Sequence, residues 1–343
     1  MNLRSFPAAR QNIKRLKGIS LINKINYLIK TIFGEILRRR TKGAFGLRLV
    51  EIALTDRCQC RCEHCFAHHK DHLELMKEEL TTQEVKSLID EIDSIGGVEI
   101  IFTGGEPLLR KDLLELIDYT HQKGIVTRLI TNGILLNETV VSELKRAGLN
   151  WASISLDSSK PEIHDEFRKV EGCFGSAIDG LKLFVKNQIP CSIITVARKE
   201  LIYSGELEEI IQLGRGIGVN VVRFNFPVPI GRFSDQQSQV LTLEEREKVR
   251  ELLKYDIVTM ESPREHTRCT AAVTKLNVYP NGDISPCVFI PLSYGNIRHQ
   301  NFLEIWKSMN IYLNNYVIKG QCPLCDPILR NRIFDDTDGK IVS

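Results

Sequence analysis

The sequence lacks any apolar run long enough to span a bilayer, and no uninterrupted apolar run occurs near its amino terminus. We therefore expect no transmembrane segment, no secretory signal and a cytoplasmic location. Without export, the ten cysteines are not expected to form disulfides, and their spacing favours metal binding. The sequence also lacks interleaved basic and aromatic residues, so nucleic acid is not an expected partner.

Acidic residues are almost absent from the amino-terminal arm, residues 1–47. The first 48 residues hold twelve Lys or Arg and one acidic residue, Glu35, whereas the remainder has 34 basic and 42 acidic residues. Apolar residues at helical spacing over 20–40 predict an amphipathic helix. Such a basic arm can contact a membrane surface or another anionic partner, or it can be a solvated helix that packs on the domain. An organelle transit peptide is a lower-ranked alternative.

Strand and helix patterns alternate over residues 48–260. Capping boxes at Thr81 with Glu84 and at Thr242 with Glu245 mark two helix starts. Six strands rich in Val and Ile are predicted, at 50–55, 98–103, 126–131, 152–156, 192–196 and 219–226. Such a series predicts an α/β fold with a parallel sheet. A partial (βα)6 TIM-like barrel is favoured, and an open doubly wound sheet is the rival.

The pattern changes over residues 261–330. Two short strands, 273–279 and 284–287, flank the turn Pro280-Asn281-Gly282-Asp283 and predict a β-hairpin. A short helix is predicted near 302–309, and a Cys-x2-Cys pair lies close to the end. We interpret this part as a small metal-binding module, followed by a loosely ordered tail, 331–343.

The spacing Cys58-x3-Cys62-x2-Cys65 lies just after the first predicted strand. Three close thiolates suit an iron–sulfur cluster, and three ligands leave one iron of a 4Fe–4S cluster open for another molecule. Structural zinc is the alternative, because a fourth ligand is close by in the sequence. The candidates for that ligand are Cys60, His64, His68 and His69.

A second motif, Gly104-Gly105-Glu106-Pro107, follows the second predicted strand. The carboxyl ends of parallel strands meet at one edge of the sheet, so this motif is expected close to the cysteines. Glycine permits a close approach of the backbone to a ligand, and Glu106 offers a carboxylate for an ammonium group.

The cysteine spacing, the GGEP segment and the strand–helix series together resemble the radical S-adenosylmethionine (SAM) superfamily, over about residues 48–330. The resemblance implies a 4Fe–4S cluster whose open iron is chelated by SAM. It further implies reductive cleavage of SAM to a 5′-deoxyadenosyl radical, which removes a hydrogen atom from a substrate.

The resemblance also assigns roles to residues. Cys58, Cys62 and Cys65 would hold the cluster, and Cys60 would be a spectator. Gly104, Gly105 and Glu106 would bind the methionine amino group. His64 would face the adenine through its backbone, with Phe66 beside it. Further SAM contacts are expected from residues at or beyond the ends of the third and fourth strands: Asn132, Ser155, Asp157 and Arg168.

Four carboxy-terminal cysteines form a second group: Cys269, Cys287, Cys322 and Cys325. Four thiolates complete either a second cluster or a structural zinc site. The arrangement resembles the Twitch module, a shortened SPASM extension, which implies an auxiliary 4Fe–4S cluster with four cysteine ligands. We therefore expect two clusters in total and a flavodoxin- or ferredoxin-type reductant.

Cys173 and Cys191 belong to neither group. Either thiol could return a hydrogen atom to a substrate radical, although a buried cysteine is more often inert. Pro227, Gly231 and Arg232, beyond the sixth strand, are expected to position a substrate.

Four functions remain open on the sequence. The favoured one is hydrogen abstraction from a small molecule in natural-product or cofactor biosynthesis, with oxidation through the auxiliary cluster. A radical peptide (RiPP) maturase or epimerase is an alternative, as is modification of membrane lipids through the basic arm. A non-catalytic zinc-binding protein is the alternative from another class.

Overall fold

The protein is described here by a computed structural model, which describes residues 46–67, 78–260, 269–290, 292–313 and 322–335. The amphipathic helix predicted over 20–40 lies outside these residues, as do residues 1–45 of the basic arm, His68 and His69. No helix in the described part of the chain is long and apolar enough to cross a membrane.

Strands and helices alternate as the sequence predicts. The strands are β1 Leu49–Ala53, β2 Glu99–Thr103, β3 Val126–Thr131, β4 Trp151–Ser155, β5 Cys191–Val196, β6 Val221–Asn225, β7 Val258–Met260, β8 Lys275–Val278 and β9 Ile284–Ser285. The helices are α1 Thr82–Ser94, α2 Leu113–Gln122, α3 Glu138–Arg146, α4 Pro161–Arg168, α5 Cys173–Lys186, α6 Lys199–Ser204, α7 Glu206–Ile217, α8 Leu243–Glu251, α9 Phe302–Leu313 and α10 Pro327–Asp335. Both predicted capping boxes are confirmed, at the starts of α1 and α8.

The strands form one sheet in the order β7-β6-β5-β4-β3-β2-β1-β8-β9. All neighbours are parallel except β8 and β9. The first seven strands lie side by side in chain order, which is the order of a barrel. A doubly wound sheet instead reverses its order at a switch point. The partial TIM-like barrel is therefore confirmed, and the rival is wrong.

The predicted hairpin exists, but it is joined to the barrel rather than separate from it. β8 pairs with β9 on one side and with β1 on the other, from Leu49 opposite Lys275 to Ile52 opposite Val278. The physical reason is burial, because Leu276 and Val278 lie fully inside the same apolar core as β1. Sequence reasoning also missed β7, which is only three residues long.

The boundary of the predicted tail is wrong. Residues 331–335 are not loosely ordered, because they complete helix α10. Ile333 explains this order, since its fully buried side chain joins an apolar cluster with Leu324 and Ile290 in the carboxy-terminal module.

Side chains alternate between the two faces of the sheet. Val50 and Ile52 pack in the core between strands and helices, so Glu51 faces the space enclosed by the concave side of the sheet, which we call the lumen. By the same alternation four buried charged side chains face the lumen: Glu51, Glu99, Arg128 and Arg223. Lys275, whose side chain is 13% exposed, faces it as well. Apolar branched side chains usually fill the inside of a barrel, so this lumen is unusually polar.

Candidate functional site

The three predicted cluster ligands lie in the loop after β1, residues 54–67, which we call the cysteine loop. The thiols of Cys58, Cys62 and Cys65 lie close enough together for the charge of one thiolate to raise the pKa of another. The thiol of Cys60 forms hydrogen bonds with Cys58 and Cys62 and lowers the pKa of Cys62 to about 6. Because the thiolate is the form that binds metal, this loop fits a metal cluster.

Helix α4 holds the cysteine loop by its carboxyl end. The backbone N–H of Arg61 donates to the carbonyl of Arg168 at 3.1 Å, and that of Glu63 donates to the carbonyl of Phe167 at 3.0 Å. The last carbonyls of a helix have no partner inside it. The cysteine loop supplies those partners and is thereby fixed over the end of α4.

The GGEP segment lies directly against the cysteine loop. The N–H of Gly105 donates to the carbonyl of Thr55 at 2.7 Å, and that of Glu106 donates to the carbonyl of Arg57 at 2.8 Å. A Cβ on Gly104 would lie 2.4 Å from the Thr55 oxygen, and one on Gly105 would lie 2.3 Å from the Arg57 oxygen. Both glycines are therefore required by contact with the cysteine loop, a reason that differs from the predicted approach to a ligand.

Glu106 is fully buried and held at both carboxylate oxygens. Oε1 accepts hydrogen bonds from Thr131 Oγ1 at 2.8 Å and from the N–H of Leu108 at 3.1 Å, and Oε2 accepts from the N–H of Asn132 at 2.8 Å. Burial raises the pKa of Glu106 to about 7. A bound ammonium group would favour the carboxylate form. Pro107 starts a 3₁₀ turn, Pro107–Leu109, that Glu106 caps.

Asn132 connects the third strand to the cysteine loop. Its Nδ2 lies 3.8 Å from Cys58 Sγ and donates to Gln59 Oε1 at 3.3 Å. Its Oδ1 accepts from the N–H of Ile134 at 2.9 Å, which fixes the turn after β3. The structure thus places Asn132 beside the first cysteine, as the sequence predicts for a pocket residue.

Asp157 and Arg168 form an ion pair with side-chain exposures of 1% and 8%. Arg168 donates from Nε at 2.9 Å and from Nη2 at 2.6 Å, both to Asp157 Oδ2. Burial alone would raise the pKa of Asp157, but the guanidinium holds it below its usual range. The same charge helps to lower the pKa of Cys62. The predicted contact of Arg168 with the methionine carboxylate stays a prediction, as does that of Ser155, half-buried at the end of β4.

A stack of planar groups supports His64. Its ring stacks on Phe167 with centroids 4.9 Å apart, and Phe233 meets it edge-on at 6.3 Å. The Arg198 guanidinium lies 3.9 Å from the Phe167 ring centre. Burial lowers the pKa of His64 to about 4, so the imidazole is neutral, and its Nδ1 has no hydrogen-bond partner among the described residues.

Sequence reasoning missed two supports of the site. Arg198, just after β5, donates to the backbone carbonyl of Asp157 at 3.2 Å. His164 accepts the N–H of Asp157 at Nδ1, at 3.0 Å. The signals were an arginine at the end of a strand and a histidine within the His-Asp-x-x-Arg segment that ends at Arg168.

Phe66 lies against the carboxy-terminal module. Its ring meets Phe289 edge-on at 5.5 Å and packs on the apolar cluster that contains Cys287. Its predicted contact with the adenine stays a prediction.

The four carboxy-terminal cysteines also come together. Cys269, Cys287 and Cys322 lie in one apolar cluster. They are close enough together for the charge of one thiolate to raise the pKa of another. A hydrogen bond with Cys322 lowers the pKa of Cys325. A pocket of four close thiols fits a second, fully ligated cluster.

The two remaining cysteines differ in position. The prediction for Cys191 is wrong, because its fully buried side chain lies in the core on the helix side of the sheet, away from the lumen. Cys173 begins α5, with ligand atoms of His164 and Asp165 within 4.8 Å of its sulfur. Burial raises the pKa of each thiol to about 12. A hydrogen-atom role for Cys173 stays a prediction.

The structure therefore brings most of the predicted site together at the carboxyl ends of β1 to β4. The residues joined by these contacts are Cys58, Cys62, Cys65, His64, Gly104, Gly105, Glu106, Pro107, Asn132, Asp157 and Arg168. Phe66 lies in the same loop with its ring packed towards the carboxy-terminal module, whereas Cys191 lies on the helix side of the sheet.

Comparison with known proteins identifies this architecture. Residues 52–213 match the family model of the radical SAM superfamily, and residues 269–326 match that of an iron–sulfur cluster-binding domain, SPASM. The chain is similar to an AdoMet-dependent heme synthase of Oleidesulfovibrio alaskensis, with 31% identity over 304 residues, which cover 79% of this chain and 77% of the relative. It is also similar to a PqqA peptide cyclase of Rhizobium meliloti, with 28% identity over 82% of this chain and 79% of the relative.

A solved structure confirms the fold. Streptococcus suis SuiB bound to its precursor peptide SuiA superposes with a TM-score of 0.67 at 15% identity, over 82% of this chain and 70% of that protein. The family match decides against the non-catalytic zinc alternative. We conclude that the chain belongs to the radical SAM superfamily and is an enzyme that uses SAM and 4Fe–4S clusters, with a SPASM/Twitch module at its carboxy terminus.

Proposed function

We propose that this enzyme oxidises a polar small molecule in natural-product or cofactor biosynthesis. Cys58, Cys62 and Cys65 would hold the cluster that supplies one electron for SAM cleavage, and this chemistry would remove one hydrogen atom from the substrate as 5′-deoxyadenosine forms. The four carboxy-terminal cysteines would hold a cluster able to accept a second electron from the substrate, which would also lose one proton, so that the product would be oxidised by two electrons.

The single observation that carries this proposal is the polar lumen. Arg128 pairs with Glu99 at 2.6 Å, and Lys275 approaches Glu51 at 3.8 Å. An apolar substrate would take water away from these charged pairs without offering hydrogen bonds, so a lumen of this kind is better suited to a substrate with polar or charged groups. The carboxamide oxygen of fully buried Asn277 has no hydrogen-bond partner among the described residues, which leaves an acceptor for a substrate.

Relatives support the cofactor branch of this proposal. The AdoMet-dependent heme synthase acts in the synthesis of a cofactor, and its match covers most of both chains. By analogy, a carboxylate-bearing tetrapyrrole is the first class of substrate to test.

A peptide substrate is the second candidate. PqqA peptide cyclases are relatives at 27–28% identity, and SuiB was solved with a precursor peptide. A role in peptide maturation or epimerisation therefore remains to be tested against the small-molecule proposal. Lipid modification rests only on the basic arm, of which residues 1–45 lie outside the described residues.

The test is SAM turnover with competing substrates. Reconstituted enzyme, kept without oxygen, would receive SAM, a reductant and either a panel of carboxylate-bearing tetrapyrroles or a precursor peptide encoded beside its gene. We propose a flavodoxin- or ferredoxin-type protein as the natural reductant, with dithionite as its chemical substitute. A rise in 5′-deoxyadenosine, together with a product two hydrogens lighter, only with the small molecules supports the proposal. A rise only with the peptide replaces it with maturation.

A double variant tests whether the polar lumen recognises the substrate. Glu99→Gln with Arg128→Met removes both charges without leaving one unpaired, and it should abolish the substrate-dependent rise. Arg215→Gln with Asp256→Asn removes an exposed pair, 40% and 79% exposed, and is the matched control. Equal rises in both double variants would contradict recognition by the lumen.

A further inference from the structure

The segment after β6, residues 227–233, lies across the cysteine loop. We call it the bridge segment, and it ends in a 3₁₀ turn, Gly231–Phe233. The backbone N–H of Arg232 donates to the carbonyl of Cys65 at 3.1 Å, and its Nη1 donates to the carbonyl of Cys62 at 3.1 Å. One arginine thus holds the backbone of two cluster ligands.

Gly231 allows this close contact. A Cβ at this position would lie 2.3 Å from the Cys65 oxygen and 2.7 Å from the Cα of Phe66. Its φ of +57° also lies in the left-handed region that favours glycine. The bridge segment is therefore built to touch the cysteine loop, and Arg232 makes contacts there that the expected substrate-positioning role does not require.

The guanidinium also places a positive charge beside the cysteine loop. Its Nη1 lies 3.1 Å from the carbonyl of Cys62, and the backbone of the same arginine contacts Cys65. A fixed cation beside a thiolate-bound cluster favours the reduced form, which carries one more electron.

The other end of the bridge segment touches the auxiliary module. Cys325 Sγ lies 3.8 Å from the Pro227 carbonyl. Val228 and Ile230 pack in the apolar cluster that contains Cys287. Packing against this module holds the bridge segment in place, so Arg232 approaches the cysteine loop from a fixed support.

We propose that Arg232 is a positioning residue that clamps the cysteine loop through the Cys62 and Cys65 carbonyls and raises the reduction potential of the catalytic cluster. The proposal rests on membership of the radical SAM superfamily. Its failure is distinguishable from a failure of that assignment, because wild-type iron content and the SAM-induced change in the cluster's EPR spectrum are measured first.

The test compares Arg232→Gln, Arg232→Lys and the control Arg57→Gln. Arg57 lies in the same loop, but its side chain is 53% exposed and bonds to Thr55 instead of the cysteine carbonyls. The catalytic cluster, identified by its SAM-sensitive EPR signal, is titrated with reductant. Arg232→Gln should shift its reduction equilibrium about tenfold towards the oxidised form, or about 59 mV for one electron. Arg232→Lys should retain part of the effect, and Arg57→Gln should match wild type.

A second readout needs no cluster. In metal-free protein, hydrogen–deuterium exchange over residues 58–66 should be faster than wild type in Arg232→Gln and close to wild type in Arg57→Gln. Exchange over α8 should be unchanged in both variants. Arg232→Gln could also lose the iron of the catalytic cluster alone. If it retains the auxiliary iron and exchanges faster only in the cysteine loop, that result would also support the proposal that Arg232 clamps this loop. A wild-type potential with wild-type exchange, or a general loss of protection across the protein, would overturn it.

Discussion

Removing the charge of Asp157 tests whether the buried ion pair with Arg168 stabilises the site. Asp157→Asn keeps the shape of the side chain but leaves the guanidinium, 8% exposed, without its carboxylate partner. Breaking one side of a buried ion pair costs about 3–5 kcal/mol. At about 1.4 kcal/mol for each factor of ten, the unfolding equilibrium should shift by roughly two to four orders of magnitude. Urea unfolding of the metal-free protein, followed by circular dichroism, measures this change.

Asp256→Asn is the matched control, because it makes the same substitution in another Arg–Asp pair. Asp256 meets Arg215 at 2.9 Å, but the two side chains are 79% and 40% exposed. Exposed pairs contribute about 0–1 kcal/mol, so this variant should unfold close to wild type. Equal losses in the two variants would refute the reasoning that burial makes the Asp157–Arg168 pair strong.

Three further predictions concern the site. Glu106→Gln should weaken SAM binding about tenfold and abolish its pH dependence. Burial raises the pKa of Glu106 to about 7, so the carboxylate that binds the ammonium group forms only as the pH rises through that value. Calorimetry at about pH 6 and 8 checks this, and the same pH dependence of SAM affinity in variant and wild type would argue against it. Gly105→Ala should lose about half of the bound iron, since its Cβ would lie 2.3 Å from a carbonyl of the cysteine loop. Gly175→Ala is the control and should lose none, because its Cβ would have no atom within 4 Å. Iron assays after reconstitution measure both, and equal iron contents would contradict the prediction. The double variant Cys322→Ala, Cys325→Ala should lose about four of about eight irons yet keep the SAM-sensitive EPR signal, and loss of that signal would contradict separate clusters.

The barrel could be predicted from the sequence because each of its first six strands is a local signal. Alternating apolar segments and capping boxes need no knowledge of distant contacts. The pairing of β8 with β1 could not be found in this way, because it joins Leu49 to Lys275 across most of the chain. β7, with three residues, is too short for any periodic pattern to show.

The contact between the cysteine loop and the GGEP segment could be predicted, because each motif has a fixed spacing within one loop and both loops follow neighbouring strands. The partner of Phe66 could not, because Phe289 belongs to a different module. The side of the sheet on which Cys191 lies could have been predicted, since Ile193 lies on the same side of β5 and packs in the helix-facing core. The polar lumen was visible as well, as single charged residues such as Arg128 and Arg223 inside apolar strands, but their convergence required the order of the sheet.

The most direct test of the central claim is SAM cleavage by reconstituted protein and by its Cys58→Ala, Cys62→Ala, Cys65→Ala variant. The protein is prepared without oxygen, assayed for iron and sulfide, and given dithionite and SAM. We predict about eight irons and 5′-deoxyadenosine formation in the wild type, against about four irons and no product in the variant. Zinc in place of iron, with no cleavage in well-reconstituted wild-type protein, would contradict the account.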